Sequence, residues 1–301
     1  MDDKYLIVVT GPTASGKTST AIKIAKTLGT EIISADSRQF YKELPIGTAA
    51  PTKSELNEVQ HHMVHILNID DKYDVADYER DVLLLLKHLF LKHNVVVISG
   101  GSGLFIDAIC NGLDSIPDIS ENNRKSVNDL YENGGLIALQ NELQRLDPEY
   151  YNIVDKQNPR RLQRALEVCY QTNLPYSSFR KNTSKVRDFK IIKIALLWER
   201  NELISRINQR VEQMVSDGLV DEARSVYHKR HLNSLNTVGY KELFQYFDGN
   251  VSLDEAIENI KISTRQYAKR QMTWLRKNND YQWFKIDELD KMIDFITNEM
   301  K

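Results

Sequence analysis

Cysteine is scarce in this sequence: Cys110 and Cys169 are the two present among 301 residues. They lie far apart and form no C-x-x-C pair, which leaves no sulfur framework and suits reduced core residues of a cytosolic protein. Long apolar runs are missing as well. None approaches the ~20 residues of a membrane span. The start, Met1-Asp2-Asp3-Lys4, lacks the basic and apolar segments of a signal peptide, so no membrane association and a cytoplasmic location are expected. Nor is there an excess of charge of one sign. A formal net charge of -2 gives no overall attraction to nucleic acid, so any RNA site must be a local patch. Internal repeats and low-complexity tracts are absent. The length suits one core domain with a large insertion, since single cores stop growing near ~250 to 300 residues, and a monomer is the expectation.

What the chain does have is a complete phosphate loop, Gly11-Pro12-Thr13-Ala14-Ser15-Gly16-Lys17-Thr18, directly after the apolar run Tyr5 to Val9. In the order strand, loop, helix, the pattern G-x-x-x-x-G-K-S/T binds anions. The glycines let backbone N–H groups face the phosphates, Lys17 supplies a point charge, and Thr18 offers a hydroxyl to Mg2+. The helix starting near Lys17 adds its dipole. A diphosphate or triphosphate is therefore expected here. A second strand, Glu31 to Ala35, delivers Asp36 beside the loop, because ligands in an open parallel sheet lie beyond the carboxyl ends of the strands. Ser37-Arg38-Gln39-Phe40-Tyr41 follow, a mixture that suits either a surface reading a base or sugar, or a solvated strand exit with a capping Asp.

A further apolar strand, Val95 to Ser99, ends in Gly100-Gly101-Ser102-Gly103, small enough for backbone to approach a ligand. It lacks the terminal Asp that holds magnesium in many nucleotide hydrolases, which weakens an ATPase reading. Asp77 to His93 carries a broad apolar face of helical period that must lie against the sheet. Glu55 to His61 reads as a short helix, and the spacing of His61 and His65 suits either a metal on that helix or packed, hydrogen-bonded histidines.

From 116 to 188 the sequence turns polar and helical, with Gly134-Gly135, Pro148, Pro159 and Pro175 as punctuation, and reads as an insertion into a core of 1-115 and 189-301. Within it Leu162, Ala165, Leu166 and Cys169 make a core stripe. Arg160, Arg161, Gln163, Arg164 and Glu167 are left around the remaining surface, either solvated or contacting phosphates and bases. Lys190 to Trp198 and Tyr281 to Lys285 read as strands. The helix Glu202 to Val215 sets Arg206 and Arg210 one turn apart, so that one reaches back to the phosphate loop.

A capping box, Ser252 to Glu255, opens the last long helix. That helix holds Lys261, Arg265, Lys269, Arg270, Arg276 and Lys277, with Tyr267 and Trp274 interleaved and no acidic residue from Lys261 to Lys277. A polyanion site is preferred there over a plain surface helix. The expected fold class is α/β: a P-loop NTPase-like parallel sheet core with helices on both faces and an inserted all-helical subdomain.

Together these stretches resemble the tRNA dimethylallyltransferases, or tRNA isopentenyltransferases, over essentially the whole chain. The resemblance is carried by the phosphate loop, Asp36-Ser37-Arg38-Gln39 with Tyr41, Gly47-Thr48-Ala49, Gly100 to Leu104, Asn158 to Glu167, Val238 to Glu242, and Thr264 to Arg276. It implies transfer of a dimethylallyl group from dimethylallyl diphosphate to N6 of the adenine next to the anticodon, in tRNAs that read codons starting with U. It also implies roles. Asp36 corresponds to the general base and Arg210 to a phosphate-side catalytic contact, with Lys17 and Thr18 acting on the leaving group. Gly11 to Thr18 correspond to the diphosphate cradle, with Mg2+ on Thr18. Asp36, Ser37, Arg38, Gln39, Ser102, and Gln163, Arg164, Ala165, Leu166 and Glu167 correspond to segments contacting the tRNA anticodon stem-loop. Lys269 and Arg270 join them from the basic helix. Three positions depart from the family pattern: Ser102 stands where Thr is more frequent, Phe105 where Tyr is common and Ala50 where Lys is common. Ser102 keeps a hydroxyl, so its role is expected to survive.

The chemistry is consistent with these residue types. An adenine amino group is a poor nucleophile, but it becomes strongly acidic as the new N–C bond forms, so a carboxylate of ordinary pKa, ~3.9 for Asp, suffices as the base. Lys17, Arg210, backbone N–H groups and magnesium neutralise charge growing on the diphosphate. The base must leave the anticodon stack to react, at a cost of ~a few kcal/mol offset by stacking and basic contacts. The insertion and the Lys261 to Lys277 helix are assigned to RNA on this ground. Two alternatives share the loop: a nucleotide-kinase-like ATP-dependent phosphotransferase, which leaves the basic helix unexplained, and a non-catalytic RNA-binding module, which leaves Asp36 unexplained.

Overall fold

The structure is a computed structural model that describes residues 3–181 and 184–301. Among these the chain forms two compact units, Met1–Cys110 with Val186–Lys301, and Asn111–Lys185. The first is built on a sheet of six parallel strands: β1 (Tyr5–Thr10), β2 (Ile32–Ser34), β3 (His61–His62), β4 (Val95–Gly100), β5 (Lys190–Leu197) and β6 (Gln282–Lys285). Their order across the sheet is β3-β2-β4-β1-β5-β6. Because side chains alternate along a strand, β1 divides its residues between two faces. Leu6 and Val8 pack with Tyr78, Val82, Leu86 and Ile106, whereas Tyr5, Ile7 and Val9 pack with Ile22, Ile24, Met292 and Ile296. Both faces of β1 are thus covered by helices, which is why the strand reads as an unbroken apolar run.

The helices on the first face are α3 (Val75–Leu89) and α4 (Gly103–Asn111); those on the second are α1 (Lys17–Leu28) and α12 (Leu289–Glu299). A short helix α2 (Lys53–Glu58) lies between β2 and β3. It is earlier and shorter than the one expected over Glu55 to His61, since the Thr52–Glu55 capping box starts it and His61 and His62 pair with Ile32 and Ile33 of β2. Asp74 caps α3 in the same reciprocal way with Asp77.

The second unit holds α5 (Glu121–Leu146), α6 (Pro148–Ile153) and α7 (Pro159–Thr172). Gly135, at φ 63° and ψ -160°, breaks α5 in two, as the glycine pair suggested. Val127, Leu139, Leu143, Leu162, Ala165 and Leu166 are fully buried together and give this unit its own core. At about 1.5–3 kcal/mol for each large aliphatic side chain buried, that core is its main source of stability. Asp147 is completely buried beside it, but satisfied: its carboxylate accepts from Tyr150 N, Ser177 N and Ser177 Oγ at 2.9, 2.6 and 2.8 Å.

The composition change placed the insertion at 116–188, whereas the compact unit runs from Asn111 to Lys185. Arg187 explains the C-terminal difference. Its guanidinium donates to Glu79 at 2.7 Å and to the carbonyls of Ala108 and Ile109 at 2.6 and 2.8 Å, which ties residue 187 into the sheet unit. Back in that unit follow α8 (Arg200–Ser216), α9 (Leu219–Val226), α10 (Tyr240–Phe247) and α11 (Leu253–Leu275). Val211, Leu219, Tyr240, Leu243, Ala256 and Ile260 from these four helices form a third cluster that also encloses Tyr41 and Leu44.

Candidate active site

The loops that leave the carboxyl ends of β1 and β2 open on one cavity of about 1140 Å³. Its wall includes Thr13, Lys17, Thr18, Asp36, Arg210 and Gln271. The phosphate loop turns into α1 at Gly16, whose φ of 89° favours glycine and where a Cβ would come within 2.4 Å of Ile286 Cδ1. No side chain caps this helix end. The first N–H groups of a helix have no intrahelical partner, so the start of α1 is a donor array with a positive dipole.

The loop is held from behind. Trp198 Nε1 donates to Ser15 O at 2.9 Å, and Arg206 Nε donates to Ala14 O at 2.8 Å with its guanidinium stacked 4.4 Å from the Trp198 ring centroid. Of the two arginines one turn apart on α8, Arg206 therefore grips the loop backbone. Arg210 lines the cavity. Burial lowers the Arg210 pKa, the Asp36 charge pulls it back up, and the Arg206 charge adds to the lowering. Lys17 responds to the same neighbours: burial and then the Arg210 guanidinium bring its ammonium down to about 8, against the opposing effect of Asp36. Its Nζ donates to Pro12 O at 2.8 Å. Two cations and one carboxylate thus act on one another within a single cavity.

Asp36 stands just past β2. Its Oδ1 accepts from Arg38 N at 3.1 Å, an Asx turn that fixes the carboxylate at the strand exit. The neighbouring residues divide into two groups. Ser37 joins Ser102, whose Oγ accepts from Ser37 N at 3.1 Å and donates to Ser37 Oγ at 3.2 Å. Tyr267 sits beside them; burial and then the Asp36 charge raise its pKa, while a hydrogen bond to Ser102 opposes the rise. Arg38 and Gln39 instead turn inward. Arg38 Nη1 donates to the carbonyls of Asn233 and Ser234 at 3.1 and 3.2 Å. Gln39 is 9% exposed, accepts from Ser34 Oγ at 3.1 Å and donates to Ala49 O at 3.0 Å. These two side chains, expected among the RNA contacts, are already engaged in holding loops of the protein.

In the helical unit a similar sorting occurs on α7. Arg160 and Arg161 are exposed, and Arg164 pairs with Glu167 at 3.5 Å. Gln163 was expected on the surface; it is 8% exposed and donates to Asn128 Oδ1 at 3.1 Å. Ala165 and Leu166 are fully buried, so no side-chain atom of either faces a ligand. The basic stripe of α11 is likewise less uniform than its sequence. Lys261 is neutralised by Glu212 and Glu258 at 3.0 and 2.8 Å, and Arg265 donates to Asn208. Lys269, Arg270, Arg276 and Lys277 stay exposed.

Gln271 is the site residue that periodicity missed. It is 7% exposed, accepts from Thr13 N at 2.8 Å and donates to Gly101 O at 2.9 Å, so α11 is hydrogen-bonded to the phosphate loop. Its only sequence signal was its place in the Thr264 to Arg276 stretch.

The histidines do not form a metal centre. His61 lies on β3 and His65 in a turn at φ 52°, so their helical spacing has no helix to act on. Among the described residues no group of His, Cys, Asp or Glu is arranged to hold a metal ion. His62 and His93 instead reach Glu31 at 2.6 and 3.3 Å. Burial, the largest single influence, would raise Glu31, but the hydrogen bonds and charges of the two histidines together hold its carboxyl below the usual range. At the end of β4, a Cβ on Gly100 would meet Ala35 O at 2.1 Å, which leaves no room for a magnesium-holding side chain at that position.

Residues 39–278 match the family model described as IPP transferase. The chain is 50% identical over 297 residues to a tRNA dimethylallyltransferase of Christiangramia forsetii, covering 98% of each chain. It is 48% identical over 301 residues to tRNA dimethylallyltransferase 1 of Bacteroides fragilis, covering 100% of each. Among solved structures, the full-length tRNA isopentenylpyrophosphate transferase of Bacillus halodurans superposes with a TM-score of 0.73 at 34% identity, over 99% of this chain and 97% of that one. The phosphate loop, the carboxylate facing two cations and the parallel sheet that presents them therefore belong to a member of the IPP transferase family, the tRNA dimethylallyltransferases, which are prenyltransferases that modify tRNA.

Proposed function

We propose that this chain transfers the dimethylallyl group of dimethylallyl diphosphate to N6 of the adenine next to the anticodon, in tRNAs that read codons starting with U. The single observation that carries the reading is the cavity in which Asp36 faces Lys17 and Arg210, since that pairing matches the two charges the reaction creates. As the N6–C1 bond forms and the C1–O bond breaks, the amino group becomes acidic and the departing diphosphate gains negative charge. Asp36 accepts the N6 proton. The α1 terminus, Lys17 and Arg210 stabilise the leaving group; such preorganised charges are effective because the site does not have to reorganise during the reaction. Arg206 and Trp198 keep the loop fixed while this happens.

Magnesium fits the donor set in a limited way. Thr18 contributes one hard oxygen at the cavity wall and the diphosphate would supply others, the usual arrangement for an ion that keeps several waters. When bound there, magnesium neutralises diphosphate charge. Ser102 with Ser37, and the exposed Lys269 and Arg270, are among the side chains available to RNA near the site; Arg160 and Arg161 are available on the helical unit. The protein is read as a cytoplasmic monomer; among the described residues no helix is long and apolar enough to cross a membrane.

The test supplies labelled dimethylallyl diphosphate and γ-labelled ATP separately, with magnesium and an anticodon stem-loop carrying an adenine-rich loop. Label entering RNA from the prenyl donor alone, and lost when inosine replaces the acceptor adenosine, is the expected result. Label transferred only from ATP would replace this reading with a phosphotransferase.

A further inference from the structure

Two stretches shared with the family, Gly47-Thr48-Ala49 and Val238 to Glu242, supply neither the base nor the two cations that face it. They meet at one carboxylate. Residues 45–49 form a turn whose later N–H groups are satisfied locally: Thr48, Ala49 and Ala50 donate to the carbonyls of Leu44, Ile46 and Pro45 at 3.4, 2.9 and 3.0 Å. Pro45 has no N–H, and the next two turn outward. Ile46 N donates to Glu222 Oε2 and Gly47 N to Glu222 Oε1, each at 2.8 Å. The free N–H groups of a helical turn are thus satisfied by an anion, supplied here by the first turn of α9.

Tyr240 completes the arrangement. Its hydroxyl donates to Glu222 Oε1 at 2.6 Å, and its ring lies so close to the turn that a Cβ on Gly47 would come within 2.5 Å of Oη and 2.6 Å of Cζ. Tyr240 is fully buried. Burial and then the Glu222 charge push its pKa up, so the phenol stays a donor.

The turn so held is a wall of the site. Gly47, Thr48 and Ala49 line the cavity that contains Lys17, Asp36 and Arg210. Ala49 has the left-handed φ of 47°, a conformation that persists in a residue other than glycine where its surroundings enforce it. Its carbonyl accepts from Gln39 Nε2 at 3.0 Å, and Gln39 N donates to Asp36 O at 3.1 Å. One end of the wall is therefore fastened to the Asp36 turn and the other to Glu222. Neither Glu222 nor Tyr240 lines the cavity, so both act through the turn.

We propose that Glu222 is a positioning residue for the transfer: with Tyr240 it fixes the 45–49 turn, and the turn holds the reacting groups against Asp36. The proposal rests on reading this cavity as the site of prenyl transfer. A wall displaced by about 1 Å costs up to ~10²-fold in rate, because the reacting atoms must meet in line.

The experiment measures single-turnover transfer from labelled dimethylallyl diphosphate to an anticodon stem-loop, both saturating, in the full chain and its variants. Melting temperature, folded fraction and pyrophosphate affinity are measured beside it. Glu222→Gln sets an amide NH2 against a backbone donor and should slow transfer per folded molecule by at least about tenfold, with pyrophosphate affinity unchanged. Gly47→Ala, which drives the turn off the Tyr240 ring, should do the same. The double variant should be no slower than either single one, since both changes act through one turn. Tyr240→Phe keeps the ring and removes one of three donors; it should slow transfer by about threefold, and it serves if the other variants do not fold. A normal rate per folded molecule in Glu222→Gln or Tyr240→Phe, even with a lowered melting temperature, overturns the proposal and leaves the transfer reading intact. Multiplying effects in the double variant do so too. Absence of transfer by the wild type overturns the transfer reading and the proposal with it.

Discussion

Helices α7 and α11 share a cationic character and do different things. Both are rich in cationic residues, both sit in stretches shared with the family, and each buries one glutamine, Gln163 and Gln271 at 8% and 7% exposure. Gln163 finds its partner, Asn128, on a neighbouring helix of the same small unit. Gln271 finds its partners on the phosphate loop and at the end of β4. A buried amide is structural in the first case and part of the site in the second. What separates them is the element opposite, which neither helix sequence contains. The cations differ in the same way. On α11 Lys261 is cancelled by acids from α8 and from its own preceding turn, whereas Lys269 and Arg270, two turns on, are exposed.

Four expectations follow from that contrast, taken in order of size. Leu166→Ala removes a fully buried side chain from the core that α7 closes, and should lower stability by about 2–5 kcal/mol. Urea unfolding of the full chain checks it. The second concerns the loop that α11 holds. Lys17 titrates near 8, and a diphosphate binds its ammonium form. Pyrophosphate affinity should therefore be steady below pH 8 and fall as pH rises through that value, by up to about tenfold per unit. Calorimetric titration against the always-charged Lys17→Arg variant isolates this effect from titration of the anion; parallel profiles would remove Lys17 from the cradle.

Third, Arg270→Ala should weaken binding of an anticodon stem-loop and lower its salt slope by about 1. Lys261→Ala should leave the slope unchanged, since that charge is already paired within the protein. Equal slopes for the two variants would dissolve the distinction between the two parts of α11. Smallest, Gln163→Leu should change stability by no more than about 1 kcal/mol, because the exposed Asn128 it leaves is rehydrated, with pyrophosphate affinity untouched.

Much of the site was legible because it is local. Eight contiguous residues specify the phosphate loop, and Asp36 follows its strand by two positions, so chain order alone puts both at the carboxyl edge of a parallel sheet. Less local features were not. Hydrophobic periodicity treats a glutamine as surface, so it places Gln39 and Gln163 outward and does not single out Gln271, although each is buried against polar atoms. Arg206 and Arg210 were equivalent candidates until Ala14 O and Trp198 were seen to claim the first. Strand β3 has two residues, too few to show a period, and it takes His61 from the end of an expected helix. The fold itself rests on unbroken apolar strands and amphipathic helices, which do carry their pattern in sequence.

The most direct measurement is the single-turnover rate of Asp36→Asn with labelled dimethylallyl diphosphate and an anticodon stem-loop, at saturating concentrations of both. The substitution preserves shape and removes the proton acceptor. A rate lower by at least about 10²-fold, with stem-loop affinity near that of the wild type, is the predicted result. An unchanged rate would contradict the assignment of Asp36 as the base, and with it the reading of this cavity as the place where adenine meets the allylic carbon.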